Sequence, residues 1–145
     1  MEDSTIQTVD TVADPQTPQT PPAHPSSEEL ARMVVHAVLD RKAEAVRVLD
    51  LSKVSDFTDL FVICSGTNER QVQAITDRVL KGLRDKGVRP LHVEGQQHGR
   101  WVLIDFGGDL VAHVFYDEAR RTYDLERLWS DAPDVTDRFV PAEAS

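Results

Sequence analysis

A glycine turn between two apolar runs constrains the fold of this chain more than any other feature of its sequence. Residues 101–106 and 110–116 are the apolar runs, and Gly107, Gly108 and Asp109 separate them. Apolar runs joined by a short glycine-containing link are typical of a β-hairpin. The sequence therefore predicts two antiparallel strands over these residues.

Side chains alternate between the two faces of a strand, so the hairpin also predicts which residues lie together. Trp101, Leu103 and Asp105 share one face of the first strand, and His113 and Phe115 share one face of the second. Aromatic side chains on a sheet face anchor a partner when they are exposed. They are ordinary core residues when they are covered, and the pattern alone leaves both interpretations open.

Three further apolar segments complete a predicted sheet. Residues 46–51 and 60–64 are rich in β-forming side chains, and only eight residues join them. A link that short favours an antiparallel pair. A helix separates residues 60–64 from the third segment at residues 91–93, so this crossover predicts parallel strands. The predicted fold class is α/β (α+β), with a five-stranded mixed sheet flanked by helices.

The helices have recognisable ends. Ser26, Ser27 and Glu29 fit a capping box, and apolar residues then recur at helical spacing as far as Asp40. A second helix follows a cap at Thr67 or Asn68, and Lys86-Gly87 ends it. Two short helical pieces are predicted at residues 117–121 and 125–129.

Charge and composition separate the ends of the chain from its centre. The net charge is −9, but residues 1–25 account for −4 and residues 130–145 for −3, which leaves −2 for residues 26–129. We predict a disordered, acidic, Pro-rich tail at 1–25, a folded domain at 26–130 and a flexible tail at 131–145. No secretory signal, transit peptide or apolar run of membrane-spanning length is visible, so a cytoplasmic protein is expected. The acidic balance also disfavours a general or sequence-specific nucleic-acid binder.

Three local patterns bear on whether the chain carries a chemical site. Cys64 ends a strand before a helix, where a thiol can become nucleophilic, but a lone Cys in an apolar run is more often inert core. His92, Glu94 and His98 match no zinc spacing. Ser65-Gly66 before a helix is a weak phosphate-binding signal. We therefore predict no catalytic residue, no metal site and no cofactor.

Several ordered motifs resemble the iojap family of bacterial ribosomal silencing factors (RsfS). The resemblance spans roughly residues 27–130. It rests on DLFVICSG at 59–66, RQVxAI at 70–75, EG at 94–95, WVLID at 101–105, HVF at 113–115, ExxR at 118–121, YxLE at 123–126 and LW at 128–129.

The resemblance implies a nucleotidyltransferase-like fold that lacks the catalytic carboxylates, and it implies a function in binding. Members dock on ribosomal protein number fourteen of the large subunit and block the small subunit, which represses translation under nutrient limitation. Free members are often homodimers. On this basis we predict partner contacts from acidic residues and from an apolar centre. They are Glu94, Asp105, Asp117 and Glu118, and Trp101, Leu103, His113 and Phe115.

Two alternatives stay open at this point. A nucleotidyltransferase-type enzyme would bind a nucleotide and Mg²⁺ near Ser65-Gly66. A large-subunit assembly factor would use the same surface at a different time.

Overall fold

The computed structural model describes residues 25–142, which form one sheet of five strands with helices around it. In chain order the elements are α1 (Ser27–Asp40), β1 (Glu44–Asp50), β2 (Leu60–Gly66), α2 (Glu69–Arg84), β3 (His92–Glu94), β4 (Trp101–Asp105), β5 (Leu110–Tyr116), α3 (Asp117–Tyr123), α4 (Leu125–Leu128) and a 3-10 helix at Thr136–Arg138.

The strands lie in the order β1-β2-β5-β4-β3. β1 and β2 are antiparallel, as the short link between them predicted. β4 and β5 form the predicted hairpin, with Trp101 opposite Phe115 and Leu103 opposite His113. β2 is parallel to β5, and β4 is antiparallel to both β5 and β3, so β3 runs in the same direction as β2. The predicted fold class is confirmed, while its likeness to nucleotidyltransferases stays a prediction.

Side-chain caps fix where the two long helices begin. Ser26 Oγ accepts a hydrogen bond from the Glu29 N–H at 3.1 Å, and the Glu29 carboxylate accepts from the Ser26 N–H at 2.8 Å. These two bonds are the predicted capping box. Asn68 caps α2 by accepting from the Gln71 N–H at 2.8 Å.

The two faces of the sheet are covered unequally. α1 and α2 pack on one face, where their apolar stripes, including Val34 and Ile75, form the larger core. On the second face a smaller core forms under the short helices, with Ala119 from α3 and Leu125 from α4. Part of the second face therefore remains accessible.

The prediction of a flexible tail from residue 131 is wrong for residues 131–142. Asp134 bridges Leu49 of β1, and the Val135 N–H donates to the carbonyl of Val48 at 2.8 Å. Val135 and Val140 are buried in the larger core. This segment pairs with the free edge of β1, so its few apolar residues are covered although most of its neighbours are polar.

The predicted N-terminal tail lies outside the described residues, apart from Pro25. Within residues 25–142, no helix combines the length and apolarity that crossing a bilayer requires.

Candidate interaction surface

An accessible strip of the second face runs along β4, and we call it the open face. Its members are Trp101, Leu103 and Asp105, which are all half-buried. The intervening residues Val102 and Ile104 are fully buried against the helical layer. The alternation predicted from the sequence thus places an indole, an aliphatic side chain and a carboxylate side by side at the surface.

Contacts on several sides hold the Trp101 ring. It stacks on Phe115, with centroids 5.0 Å apart and 27° between the ring planes. Tyr123 of α3 lies 4.7 Å from it, centroid to centroid. The indole Nε1–H donates a hydrogen bond to Nδ1 of His113 at 3.1 Å. The ring is therefore anchored to the sheet before any partner is present.

His113 and Phe115 do not reach the surface, and this corrects their predicted role. Their exposed fractions are 3% and 0%. A partner cannot contact side chains that are covered to this degree, so the prediction that they supply partner contacts is wrong. They form the floor under Trp101, which is the core interpretation that the sequence pattern left open.

Burial also sets the charge state of His113. Removal from water lowers the pKa of its imidazole to about 3, because the charged form loses its hydration. The ring is therefore neutral at physiological pH. Its Nδ1 accepts from Trp101, so the proton lies on Nε2, which has no hydrogen-bond partner among residues 25–142.

This burial predicts a pH dependence of stability. The histidine of the unfolded chain titrates near 6.5, so below that pH the unfolded state binds a proton that the folded state excludes. The free energy of unfolding should fall as the pH falls, by about 2 kcal/mol from this group at pH 5. Urea unfolding of the wild type and His113→Asn at pH 7.5, 6.0 and 5.0 measures the difference. Parallel pH profiles for the two proteins would contradict the burial of a neutral imidazole.

Of the four predicted acidic contacts, Asp105 is part of the open face and the other three are Glu94, Asp117 and Glu118; each has a partner within the chain. Asp105 Oδ1 accepts from the Gly107 N–H at 2.7 Å, which closes the hairpin turn. The other three lie in exposed pairs, a hydrogen bond with a histidine and two ion pairs with arginines. Glu94 pairs with His92 at 2.6 Å, Asp117 with Arg121 at 3.2 Å and Glu118 with Arg100 at 3.7 Å. Exposed pairs of this kind contribute little to stability, so these carboxylates can exchange partners at low cost.

Sequence patterns did not indicate three exposed apolar residues on the surface, and one of them, Tyr123, borders the open face. Tyr123 is 57% exposed and touches Trp101, and Leu128 of α4 is 73% exposed. Phe57 is 53% exposed and lies 5.8 Å from Trp129, centroid to centroid. Helical spacing does not predict that Leu128 is exposed, because residues three apart usually share a helix face. In the short helix α4, Leu125 is buried and Leu128 is exposed. Tyr123 and Trp101 together expose aromatic surface, which is typical of a surface that binds another protein.

A buried ion pair holds the two short helices in place. The guanidinium of Arg120 donates from Nε and Nη2 to the Glu126 carboxylate at 3.1 and 2.9 Å. Its Nη1 donates to Ser65 Oγ at 2.7 Å, at the end of β2. The hydrogen bonds from Arg120 hold the pKa of Glu126 below its usual range. This brace fixes α3, and with it Tyr123, against the sheet.

Cys64, Ser65 and the potential metal ligands are also placed by the structure. Burial raises the pKa of the Cys64 thiol to about 12, so the thiol is protonated and its position is that of a core residue. The Ser65 hydroxyl oxygen already accepts a hydrogen bond from Arg120. Among residues 25–142 no three His, Cys, Asp or Glu side chains lie close enough together to hold a metal ion.

Comparison with known proteins identifies the family. A sequence profile described as RsfS, ribosomal silencing factor during starvation, matches residues 24–145. This chain belongs to the RsfS family. The match confirms the resemblance read from the motifs, and it includes the segment after residue 130 that packs on β1.

Individual relatives agree with the profile. Ribosomal silencing factor RsfS of Halalkalibacterium halodurans is 46% identical over 110 residues, which are 76% of this chain and 93% of that protein. The protein named mitochondrial assembly of ribosomal large subunit protein 1, from Mus musculus, is 32% identical over 101 residues, which are 68% of this chain and 44% of that protein. A crystal structure from Chromobacterium violaceum superposes with a TM-score of 0.70 at 33% identity and covers 73% of this chain and 88% of that chain.

Proposed function

We propose that this chain binds the large ribosomal subunit through ribosomal protein number fourteen and thereby keeps the small subunit from joining. The consequence is repression of translation when nutrients are limiting. The protein acts in the cytoplasm, where it sterically blocks the surface of the large subunit that the small subunit would meet. This action needs no catalytic turnover. The observation that carries the proposal is the open face of a member of the RsfS family, with Trp101 held in place and the exposed Tyr123 beside it.

The composition of the open face and its rim suits a basic ribosomal protein. Trp101 and Leu103 form an apolar centre that a partner can desolvate, and such centres dominate binding free energy. Glu94, Asp117 and Glu118 lie in exposed pairs. They can turn to Lys and Arg of a partner, which adds orientation and specificity more than affinity.

We also propose that the free protein forms a homodimer. If the open face is the dimer seam, dimerisation and ribosome binding compete for the same residues. Sedimentation at several protein concentrations, with and without large subunits, distinguishes competition from independent binding.

Light scattering of subunit joining tests the proposal. Large subunits incubated with an excess of the protein should join small subunits more slowly and to a lower final extent than untreated large subunits. Incubating the small subunits instead should have a weaker effect, because the proposed binding site is on the large subunit. Joining at the unperturbed rate and extent with the protein in excess rules the proposal out.

A role in assembly is the second candidate, and the name of the mouse relative favours it. It uses the same surface on an immature large subunit. Addition of the protein to mature subunits separates the two roles, because an assembly factor leaves their joining unchanged.

A further inference from the structure

Trp101 donates a hydrogen bond to His113, which lies beneath the open face where no partner can contact it. We propose that His113 is a positioning residue for Trp101: its Nδ1 holds the indole N–H against the sheet, so that the carbon edge of the ring meets the partner. This inference rests on the proposed function, because it concerns how the same surface is prepared for binding.

The geometry gives Trp101 a direction. The indole nitrogen donates to a histidine that is only 3% exposed, so the N–H edge points into the protein. Trp101 is itself half-buried, so the accessible part of the ring is its carbon edge. A matching partner site therefore presents an apolar groove at this point and needs no hydrogen-bond acceptor.

The stacking contacts do not fix this direction. Phe115 and Tyr123 contact the ring of Trp101 at 5.0 and 4.7 Å between centroids. An indole turned about its χ2 angle keeps stacking contact with neighbours of this kind, since χ2 of Trp has broad and roughly two-fold preferences. The bond to His113 is a directional contact, and it favours the orientation in which the N–H edge lies against the sheet.

The surroundings of His113 indicate that packing alone does not account for a histidine here. Its Nε2 is buried and has no hydrogen-bond partner within residues 25–142, and a buried donor without a partner is destabilising. An apolar residue in the same strand would avoid that loss. A histidine supplies two things that an aliphatic residue does not: an edge contact with the Phe61 ring, 4.5 Å between centroids, and the acceptor that Trp101 uses.

Two variants separate positioning from packing. His113→Leu removes the acceptor and the unpartnered donor together, and His113→Asn keeps an acceptor oxygen close to the place of Nδ1. We expect His113→Leu to fold and to bind large subunits about threefold to tenfold more weakly, which is the range expected when one side chain must be ordered on binding. His113→Asn should recover most of that affinity although it fills less of the core.

Fluorescence anisotropy decay of Trp101 supplies a readout that does not require the ribosome. Trp129→Phe leaves Trp101 as the only tryptophan of the chain. In that background, His113→Leu should let the indole rotate faster and over a wider angle, and His113→Asn should restore its order.

Wild-type affinity and an unchanged anisotropy decay in His113→Leu overturn the positioning role. An equal loss of affinity in both variants, with Trp101 still ordered, also overturns it and leaves only a packing role. If the wild type itself does not bind large subunits, the proposed function fails, and the anisotropy measurement still decides whether His113 orders Trp101.

Discussion

Trp101→Ala is expected to weaken binding to isolated large subunits by about thirtyfold or more. Loss of a central aromatic anchor typically costs at least about 2 kcal/mol of binding free energy. Trp101 meets the conditions for such an anchor, because it is half-buried, stacked on Phe115 and oriented by His113. Co-sedimentation with large subunits over a range of protein concentrations measures the affinity.

Leu91→Ala is the matched control. Leu91 is 77% exposed, but it lies beside Gly107, at the opposite end of β4 from Trp101. Its variant should bind like the wild type. Circular dichroism and urea unfolding test whether both variants are folded. We expect Trp101→Ala to fold, because Trp101 is not part of the larger core under α1 and α2. Wild-type binding by Trp101→Ala would contradict the proposal that the open face binds the large subunit.

Glu126→Ala should lower the free energy of unfolding by about 3 kcal/mol. The side chain of its partner Arg120 is only 10% exposed, and removal of the carboxylate leaves a buried guanidinium without a counter-charge. The value lies at the lower end of what breaking a buried pair costs, because the Glu126 side chain is 31% exposed. Urea unfolding at pH 7 measures the change.

Glu118→Ala tests whether burial is the cause. Glu118 also pairs with an arginine, Arg100, but the two side chains are 63% and 50% exposed. This variant should lose less than about 1 kcal/mol of unfolding free energy, the usual limit for an exposed pair. Equal losses in the two variants would show that the Arg120 pair has no special role in holding α3.

Local sequence patterns predict most of this fold because its elements are marked by residues close in the chain. The glycine turn at residues 107–109 predicts the hairpin, and alternation along residues 101–105 predicts the face that carries Trp101. Ser26 and Glu29 mark the start of α1 in the same way. In each case the cause lies within a few residues of its effect.

The errors concern contacts between residues far apart in the chain. The polar composition of residues 131–142 predicts a flexible tail. The structure orders them against the edge of β1, more than 80 residues earlier, and local composition does not reveal that contact. His113 and Phe115 are covered by contacts with β2 and the short helices, which alternation along β5 does not reveal. The exposure of Leu128 depends on the turn between α3 and α4, where Asp124 has a positive φ of 50°.

Photo-crosslinking from Tyr123 tests most directly whether the open face meets ribosomal protein number fourteen. Tyr123 is 57% exposed and contacts Trp101, so benzoylphenylalanine in its place puts a reactive aromatic group at the border of the open face. We predict a crosslink to ribosomal protein number fourteen in the presence of large subunits, and no such crosslink from the same group at Leu91. A crosslink from position 123 to ribosomal RNA or to another ribosomal protein, with none to number fourteen, would contradict it.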